Sequence, residues 1–439
     1  MTELLDALAD EALAAARPQR FGRVTQMVGM SIEVAGIPAA IGDGLLLLTG
    51  DDQIHAEVVA LRSDRVVCLA FGDPAGIRSG TRVLALGGPL PVRVGTNLLG
   101  RILDGFGRPI DEGPSITGFD VSVAGVPPHP LRRGIVSQQL PLGVRVLDGL
   151  VPCGKGQRLG VFAGSGVGKS SLMSMIARGT SADVSVVALI GERGREVAEF
   201  IERDLGVEGL KRSVVVVATS DAPAVMRIRA AFTATRIAEW FRDQGNDVLL
   251  MMDSLTRFAL AQREVGLAAG EPPATRGYPP SVFGLLPRLL ERAGLAERGS
   301  ITGLYTVLVE GDDMNEPIAD TARSILDGHI QLSRALAESN HYPAVDVLGS
   351  ISRVAPAIIR KRELQAGGVV RELLAAWRDA KDLIEIDAYV AGTNTAVDRA
   401  VSLKPRIDAF CKQDIAEVAD LDDTHAALSE LVSSEEATS

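Results

Sequence analysis

The sequence contains the glycine-rich stretch Ala163-Gly164-Ser165-Gly166-Val167-Gly168-Lys169-Ser170. The apolar run 159–162 precedes it, and a helical pattern over 171–178 follows it. Strand, glycine loop and helix in this order are the structural context of a phosphate-binding loop. The glycines let backbone N–H groups converge on phosphate oxygens, and the N-terminus of the following helix adds a partial positive charge. The stretch therefore predicts a nucleotide-binding site.

Two side chains of this loop carry the predicted chemistry. Lys169 would reach the β- and γ-phosphates of the nucleotide, and the hydroxyl of Ser170 would bind Mg²⁺. Ser171 follows at the start of the predicted helix, and we expect it to line the same site. The usual pattern begins with glycine, whereas this loop begins with Ala163. Alanine is small, so we expect it to be tolerated if the backbone at this position has a negative φ.

Acidic residues follow two other apolar runs. Asp253 ends the run 248–252, and an acid that ends a buried strand near a phosphate loop can hold Mg²⁺. The charged segment 191–196 follows another apolar run, which places it at the carboxyl edge of a sheet, where ligands bind in open α/β folds. Hydrolysis of a nucleotide needs a group that orients and polarises the attacking water. Glu192 is the candidate for this role, and Glu196 could support the Mg²⁺ shell.

A further candidate is the arginine of Ser350-Ile351-Ser352-Arg353. Phosphoryl transfer builds negative charge on the γ-phosphate oxygens, and a guanidinium group can stabilise that charge. Arg353 lies far along the chain from the phosphate loop, so the sequence alone does not show where its side chain points.

Alternating patterns along the 439 residues predict an α/β protein with several domains. Short β-rich runs between 22 and 91 are typical of a small β-barrel or sandwich. Strand-length runs alternate with helical stretches between 151 and 352, which favours a parallel sheet covered on both faces. The strands predicted for this sheet are 158–162, 184–190, 213–218, 247–252 and 303–309. The helices predicted after it are 356–364, 370–385, 396–412 and 415–432.

The predicted domain limits are an N-terminal amphipathic helix within 1–20, a β-barrel at 21–94, a phosphate-loop domain at 95–353 and a helical domain at 354–439. The helical prediction for the N-terminus rests on apolar residues that line one face before Pro18.

Composition excludes several classes of protein. The net charge of −11 and a pI of about 5.1 argue against a nucleic-acid-coating protein. No apolar run approaches the roughly 18–20 residues that a membrane-spanning helix needs. The N-terminus begins with acids, so we expect no export signal and a cytoplasmic protein. Cys68, Cys153 and Cys411 lie far apart, which predicts reduced thiols and no structural metal.

Taken together, the motifs resemble the catalytic subunits of rotary ATPases and, within that superfamily, the type III secretion export ATPases. The likeness is greatest to the flagellar protein-export ATPases. It extends over roughly residues 20–420 and rests on the phosphate loop and on the segments 191–196, 253–259, 270–281, 310–320, 342–346 and 350–353.

The resemblance implies a role for each matching residue. In that family the lysine and hydroxyl of the loop bind phosphates and Mg²⁺, which corresponds to Lys169 and Ser170. The glutamate of the Gly-Glu-Arg motif is the catalytic carboxylate, here Glu192, and Arg193 is its neighbour. The acid after the hydrophobic strand is Asp253.

Two more roles follow from the resemblance. The tyrosine of the Tyr-Pro-Ala-Val-Asp run stacks on adenine, which corresponds to Tyr342. The arginine after Ser-x-Ser reaches the γ-phosphate of the neighbouring subunit, which corresponds to Arg353. ATP synthase relatives close the adenine site with a second, C-terminal aromatic, whereas this chain has Ile415 at the matching place.

As to assembly and activity, the resemblance implies a β-barrel, a RecA-like α/β core and a helical domain in a ring of six identical subunits. The implied activity is Mg-dependent ATP hydrolysis that powers protein export, through chaperone release and feeding of substrates to an export gate. Implied partners are a stator-like regulator bound through the N-terminal helix, a coiled-coil stalk, the gate, and secretion chaperones with their cargo. The expected location is the cytoplasmic face of the membrane, with peripheral association only.

Other functions stay open. A virulence-type secretion ATPase shares nearly every motif. A catalytic subunit of ATP synthase shares the fold, but the sequences at 310–313 and 325–329 are of the export type. A hexameric RNA translocase would need stacking aromatics near the N-terminus, and the segment before Pro91 has only Phe21 and Phe71. A non-catalytic ring subunit would not need the catalytic residues.

Overall fold

The computed structural model describes residues 21–50, 52–309, 311 and 313–433. It forms two compact units. The first runs to Leu90 and includes the short segments Pro223–Val225 and Glu264–Pro272, and the second contains the rest of the chain from Pro91. The amphipathic helix predicted within 1–20 lies outside the described residues, and the predicted domain limits stay a prediction.

The first unit contains a closed barrel whose strands follow the order β1-β2-β5-β4-β3-β6. Side chains on a strand point alternately to its two faces, so one face of each strand can fill the barrel core. On β3, Leu45 and Leu47 are fully buried in that core, while the leucines between and after them are more exposed. The barrel predicted from the sequence is confirmed. Its strands are β1 Phe21–Val28, β2 Ser31–Ala35, β3 Gly44–Thr49, β4 Asp52–Arg62, β5 Arg65–Ala70 and β6 Arg82–Ala85.

The second unit is built on a nine-stranded sheet with the order β17-β16-β10-β15-β13-β11-β12-β8, to which β14 adds beside β15. The strands from β16 to β8 in this order run parallel, and β17 is antiparallel to β16. A separate ribbon pairs β7 with β9. The strands of this unit are β7 Pro91–Val94, β8 Ile102–Leu103, β9 Phe119–Ser122, β10 Arg158–Ala163, β11 Val184–Ile190, β12 Ser213–Ala218, β13 Asp247–Asp253, β14 Gly294–Leu295, β15 Ser300–Leu308, β16 Gly328–Leu332 and β17 Val345–Ser352.

Helices cover both faces of this sheet, and two clusters of buried apolar side chains lie on either side of it. The predicted parallel α/β core is thereby confirmed. The helices are α1 Arg145–Leu150, α2 Lys169–Gly179, α3 Gly194–Glu199, a π-helical turn at Phe200–Leu205, α4 Gly206–Lys211, α5 Ala224–Asp243, α6 Leu255–Ala269, α7 Pro280–Leu290, α8 Pro317–Ile325, α9 Arg334–Glu338, α10 Ala355–Ile358, α11 Lys361–Glu385, α12 Thr395–Cys411 and α13 Leu421–Ser433.

Two of the predicted C-terminal helices have different bounds. The prediction 356–364 falls on the end of α10 and the start of the longer α11. The helix predicted at 415–432 begins only at Leu421, because Asp420 caps it: Oδ1 of Asp420 accepts hydrogen bonds from the backbone N–H groups of Asp422 and Asp423. The segment 412–420 is therefore a loop rather than a helix.

Within the described part of the chain, no helix combines the length and the apolar character that crossing a bilayer requires.

Candidate active site

The phosphate loop lies between β10 and α2, as the sequence predicts. Ala163 is the last, buried residue of β10, so the position where glycine is usual has an extended backbone that alanine can adopt. Gly166 and Gly168 have φ values of 77° and 100°, a region that favours glycine. Lys169 begins α2, so its side chain and the first N–H groups of the helix face the same loop.

Two acidic residues meet the loop because their strands are parallel neighbours. β11 and β13 pair with Leu189 opposite Asp253, and Glu192 follows directly after β11. The Nζ atom of Lys169 donates a hydrogen bond of 2.5 Å to Oδ1 of Asp253 and lies 3.8 Å from Oε1 of Glu192. The structure thus brings together three of the predicted site residues at the carboxyl edge of the sheet.

The electrostatics of this cluster favour a proton on Glu192. The pKa of Glu192 is raised to about 7: burial is the largest cause, the charges of Asp253 and Glu196 also raise it, and Lys169 opposes the shift. Its Oε1 atom is buried and accepts no hydrogen bond from the described residues. Asp253 is better satisfied, since Oδ1 also accepts a hydrogen bond of 2.6 Å from the hydroxyl of Thr306 on β15. Glu192 therefore has an oxygen free to receive a hydrogen bond.

A cleft of about 420 Å³ extends from the loop, and Ser165, Ser170 and Ser171 line it together with Glu192. Arg193 and Glu196 also line this cleft, and they form an exposed ion pair of 3.4 Å with each other. The structure thus places both predicted residues at the cleft and more exposed than Glu192.

Sequence reasoning did not single out Arg257, although it lines the same cleft. Its side-chain stem lies against Gly191, where an added Cβ atom would come within 2.9 Å of Cβ of Arg257. Gly191 has a φ of 71° as well, so glycine is required there on two grounds. The signal that could have found Arg257 is its place in the first turn of the helix that follows Asp253.

A second cleft, of about 530 Å³, borders the other side of the loop helix. Gly168 and Leu172 line it together with Tyr342, Gln413 and Ile415. The Tyr342 ring lies close to the loop, since an added Cβ on Gly168 would be 3.3 Å from a ring carbon. Tyr342 and Ile415 are 41% and 44% exposed, so both present apolar surface to this cleft. The structure therefore brings together the two residues that the resemblance assigned to the adenine site.

Arg353 lines neither the cleft of its own loop nor the second cleft. It is exposed, directly after β17, and its guanidinium group lies 3.5 Å from the carbonyl oxygen of Arg323. The end of β17 is held by Arg371, which donates hydrogen bonds to the carbonyl oxygens of Ser350 and Leu150 at 3.2 and 2.9 Å. Because β17 is antiparallel to β16, and the backbone N–H of Arg353 donates to the carbonyl oxygen of Asp327 just before β16, Arg353 lies at the sheet edge opposite the phosphate loop of its own chain.

Family models match most of the described chain. The nucleotide-binding domain of the ATP synthase alpha/beta family matches residues 143–352, and the β-barrel domain of that family matches 24–87. The C-terminal domain of the type III secretion ATPase EscN matches 359–430.

Two curated relatives are similar over nearly their full length. The flagellum-specific ATP synthase of Bacillus subtilis is 53% identical over 422 residues, which cover 95% of this chain and 96% of the relative. The type 3 secretion system ATPase of Xanthomonas euvesicatoria is 51% identical over 413 residues, which cover 93% of each chain.

Solved structures agree with these relatives. The assembled ATPase EscN of the enteropathogenic E. coli type III secretion system has a TM-score of 0.89 at 46% identity. EscN in complex with its central stalk EscO has a TM-score of 0.86 at 45% identity. Each match covers 94% of this chain and 100% of the EscN chain.

The fold and the phosphate-loop site define a nucleotide-binding protein, and the chain belongs to the ATP synthase alpha/beta family. Within that family it is a type III export ATPase, an ATP-hydrolysing enzyme. The sequence motifs predicted a type III export ATPase, and this prediction is confirmed.

Proposed function

We propose that this enzyme hydrolyses Mg-ATP to power type III protein export, with water polarised by Glu192. The observation that carries the proposal is the convergence of Lys169, Glu192 and Asp253 at the phosphate loop. Lys169 would leave Asp253 to bind the β- and γ-phosphates. Oε1 of Glu192 has no hydrogen-bond donor among the residues that the structure describes, which suits it to accept a hydrogen bond from the attacking water. Arg193 would support this carboxylate, and the loop N–H groups would hold the phosphates.

The residues present suit Mg²⁺. Among the described residues, no three His, Cys, Asp or Glu side chains cluster as a metal site. Mg²⁺ in nucleotide sites, however, is usually held by one or two protein oxygens together with phosphates and water. Ser170 and Asp253 line the same small cavity and supply such oxygens, and Glu196 lines it too. The ion would neutralise charge on the phosphates, while Ser170 and Asp253 hold it and Glu196 supports its shell.

Arg353 would act in trans, as an arginine finger at the γ-phosphate of the neighbouring subunit in a homohexameric ring. The position of Arg353 outside the cleft of its own chain supports this proposal. So does the presence of Glu192 and Arg353 in one chain, because a ring of identical copies then completes every site. The similarity to EscN, whose assembled form has been solved, points the same way.

The proposed role in the cell is chaperone release and feeding of substrates to the export gate. We favour flagellar export because the sequence motifs are most like those of flagellar ATPases. Virulence-type secretion is the alternative, because relatives of both kinds are about equally similar. Proposed partners are a coiled-coil stalk like EscO of the EscN complex, a stator-like regulator bound through the N-terminal segment, the gate, and chaperones with cargo. The location would be cytoplasmic, at the inner face of the membrane. Deletion of the gene, followed by assays of motility and of effector secretion, distinguishes the two export systems.

Turnover of Mg-ATP per chain at rising protein concentration tests whether assembly completes the site. Specific activity should rise steeply as rings form, because Arg353 of one chain then reaches the site of the next. Molecular mass measured at the lowest concentration separates a monomer from a ring that does not dissociate. An active monomer there would contradict the proposed role of Arg353.

A further inference from the structure

The loop 412–420 forms one wall of the cleft beside Tyr342. It connects α12 to α13 and contributes Gln413 and Ile415 to the lining. A loop without regular structure needs specific bonds if it is to keep one shape. Arg145 and Arg178 donate hydrogen bonds to the carbonyl oxygens of Lys412 and Ile415. Further bonds meet at the side chain of Gln413, which is only 6% exposed.

Every polar group of the Gln413 amide is used. Nε2 of Gln413 donates hydrogen bonds of 2.9 Å to the carbonyl oxygens of Gly143 and Glu417. Oε1 accepts a hydrogen bond of 2.7 Å from the backbone N–H of Arg145. The backbone N–H of Gln413 donates to the carbonyl oxygen of Tyr342 at 3.0 Å. One residue therefore joins the Tyr342 segment, its own loop and the segment before α1.

The segment before α1 is itself fixed, which makes it a firm anchor. The backbone N–H of Gly143 donates a hydrogen bond of 2.9 Å to Oδ2 of Asp148, a fully buried residue. The carbonyl oxygen of Gly143 also accepts a bond of 3.0 Å from the N–H of Ala419, near the far end of the loop. Gln413 is thus attached to a rigid part of the nucleotide-binding domain.

We infer that Gln413 is a positioning residue for the nucleobase: it sets the distance between the Tyr342 ring and the Ile415 wall, and so the contribution of the base to nucleotide affinity. The inference rests on the proposed ATP hydrolysis, with the base stacked on Tyr342 as the resemblance implies. It also explains how the site can close without a second aromatic, since an aliphatic side chain on a fixed loop offers a defined apolar surface. Gln413 does not line the cleft of the phosphate loop, so phosphate binding should not depend on it.

The test compares two probes that differ in the base. Affinities of the full-length enzyme for Mg-ATP and for Mg-triphosphate, which has no base or ribose, are measured by calorimetry. Gln413→Leu removes all three side-chain hydrogen bonds at similar size, and should weaken Mg-ATP binding about tenfold while leaving Mg-triphosphate binding unchanged. KM for ATP should rise similarly, with kcat unchanged at saturation. The exposed Gln244, which lines neither cleft, gives the matched control Gln244→Leu.

Equal weakening of both probes would overturn the inference, because Gln413 would then act on the whole domain. Wild-type affinity for both probes would overturn it as well. If Gln413→Leu does not fold, Gln413→Glu carries the same test, since it keeps the acceptor for Arg145 and loses both donors.

Tyr342→Ala separates the inference from the proposed function. Loss of Mg-ATP affinity in this variant, with no further loss on adding Gln413→Leu, is the result expected if both residues act through the base. Unchanged Mg-ATP affinity in Tyr342→Ala would contradict the stacking of the base on Tyr342, and with it the inference, whereas absence of ATP hydrolysis by the wild type is what would contradict the proposed function. If Tyr342→Ala binds Mg-ATP more weakly while Gln413→Leu binds it with wild-type affinity, only the inference about Gln413 is contradicted.

Discussion

Replacing Glu192 by glutamine tests the role of this carboxylate as the group that accepts a proton from water. The change keeps the size of the side chain and removes its charge and basicity. In the nucleotide-free enzyme Lys169 would keep its bond of 2.5 Å to Asp253, so the phosphate loop should retain its shape and Lys169 its ability to bind the phosphates. Mg-ATP affinity should therefore stay near the wild-type value while turnover falls.

The size and pH dependence of the effect follow from the surroundings of Glu192. Positioned general bases contribute about 10²–10⁴-fold, so Glu192→Gln should lower kcat by that range. Burial and the charge of Asp253 raise the pKa of Glu192 to about 7 in the free enzyme. A base works only when it is deprotonated, so kcat/KM should be constant above this pKa and fall as the pH drops below it. At about one pH unit below the pKa, roughly a tenth of the carboxylate is ionised, and kcat/KM should be about tenfold lower.

The assay is steady-state ATP hydrolysis from about pH 6 to pH 9 with constant ionic strength, for the wild type and Glu192→Gln. The difference between the two profiles removes titration of the nucleotide itself. Glu208→Gln is the matched control, because Glu208 is an exposed glutamate paired with Lys211 on α4. A Glu192→Gln variant that retains full turnover, or a wild-type profile parallel to that of the variant, would refute the role of Glu192.

Three further predictions concern the surroundings of the site. Asp253→Asn should raise the Mg²⁺ concentration for half-maximal turnover about tenfold, because one anionic ligand is lost; an unchanged Mg²⁺ titration would contradict this. Arg292→Met should lower the free energy of unfolding by about 1–3 kcal/mol in denaturant titrations, since Glu239 (1% exposed) loses its bidentate partner at 2.7 Å and keeps Arg236 at 3.0 Å. Adding Glu239→Met should recover most of that loss, and a double variant no more stable than the single one would contradict the pairing. Gly191→Ala should lower turnover by displacing Arg257, and wild-type kinetics would show that the close contact is easily relieved.

The phosphate loop and its two acidic neighbours could be predicted because the signals are local. A strand, a glycine loop and a helix follow one another directly, and the acids come at the ends of apolar runs. Parallel strands bring such ends to one edge, so Glu192 and Asp253 were expected near Lys169 without knowledge of the pairing. The strands at Val184–Ile190 and Ser213–Ala218 were predicted with their observed bounds for a similar reason, as short apolar runs.

Features that depend on distant contacts were missed. β16 and β17 were not predicted as strands, since they mix polar and apolar residues and gain order from pairing with each other and with β10. Residues 415–420 of the loop were predicted as the start of a helix, because their apolar spacing continues the helical pattern of α13. Gln413 holds that loop in place through Gly143 and Arg145, about 270 positions away in the sequence. The pattern of residues near Gln413 in the sequence does not predict such a bond.

The central claim is that one chain supplies Glu192 and its neighbour supplies Arg353 to the same site. The most direct test dissociates the rings of two variants, Glu192→Gln and Arg353→Ala, mixes the chains and lets them reassemble. ATP turnover of the mixture is then measured. Each alone should be nearly inactive, with Arg353→Ala reduced by about 10³-fold or more. In equal, random mixtures about one site in four combines an intact Glu192 with an intact Arg353 from the next chain, so turnover should recover to about a quarter of the wild-type value. If Arg353 acts within its own chain, every site in the mixture lacks one group, and the mixture stays as inactive as its components.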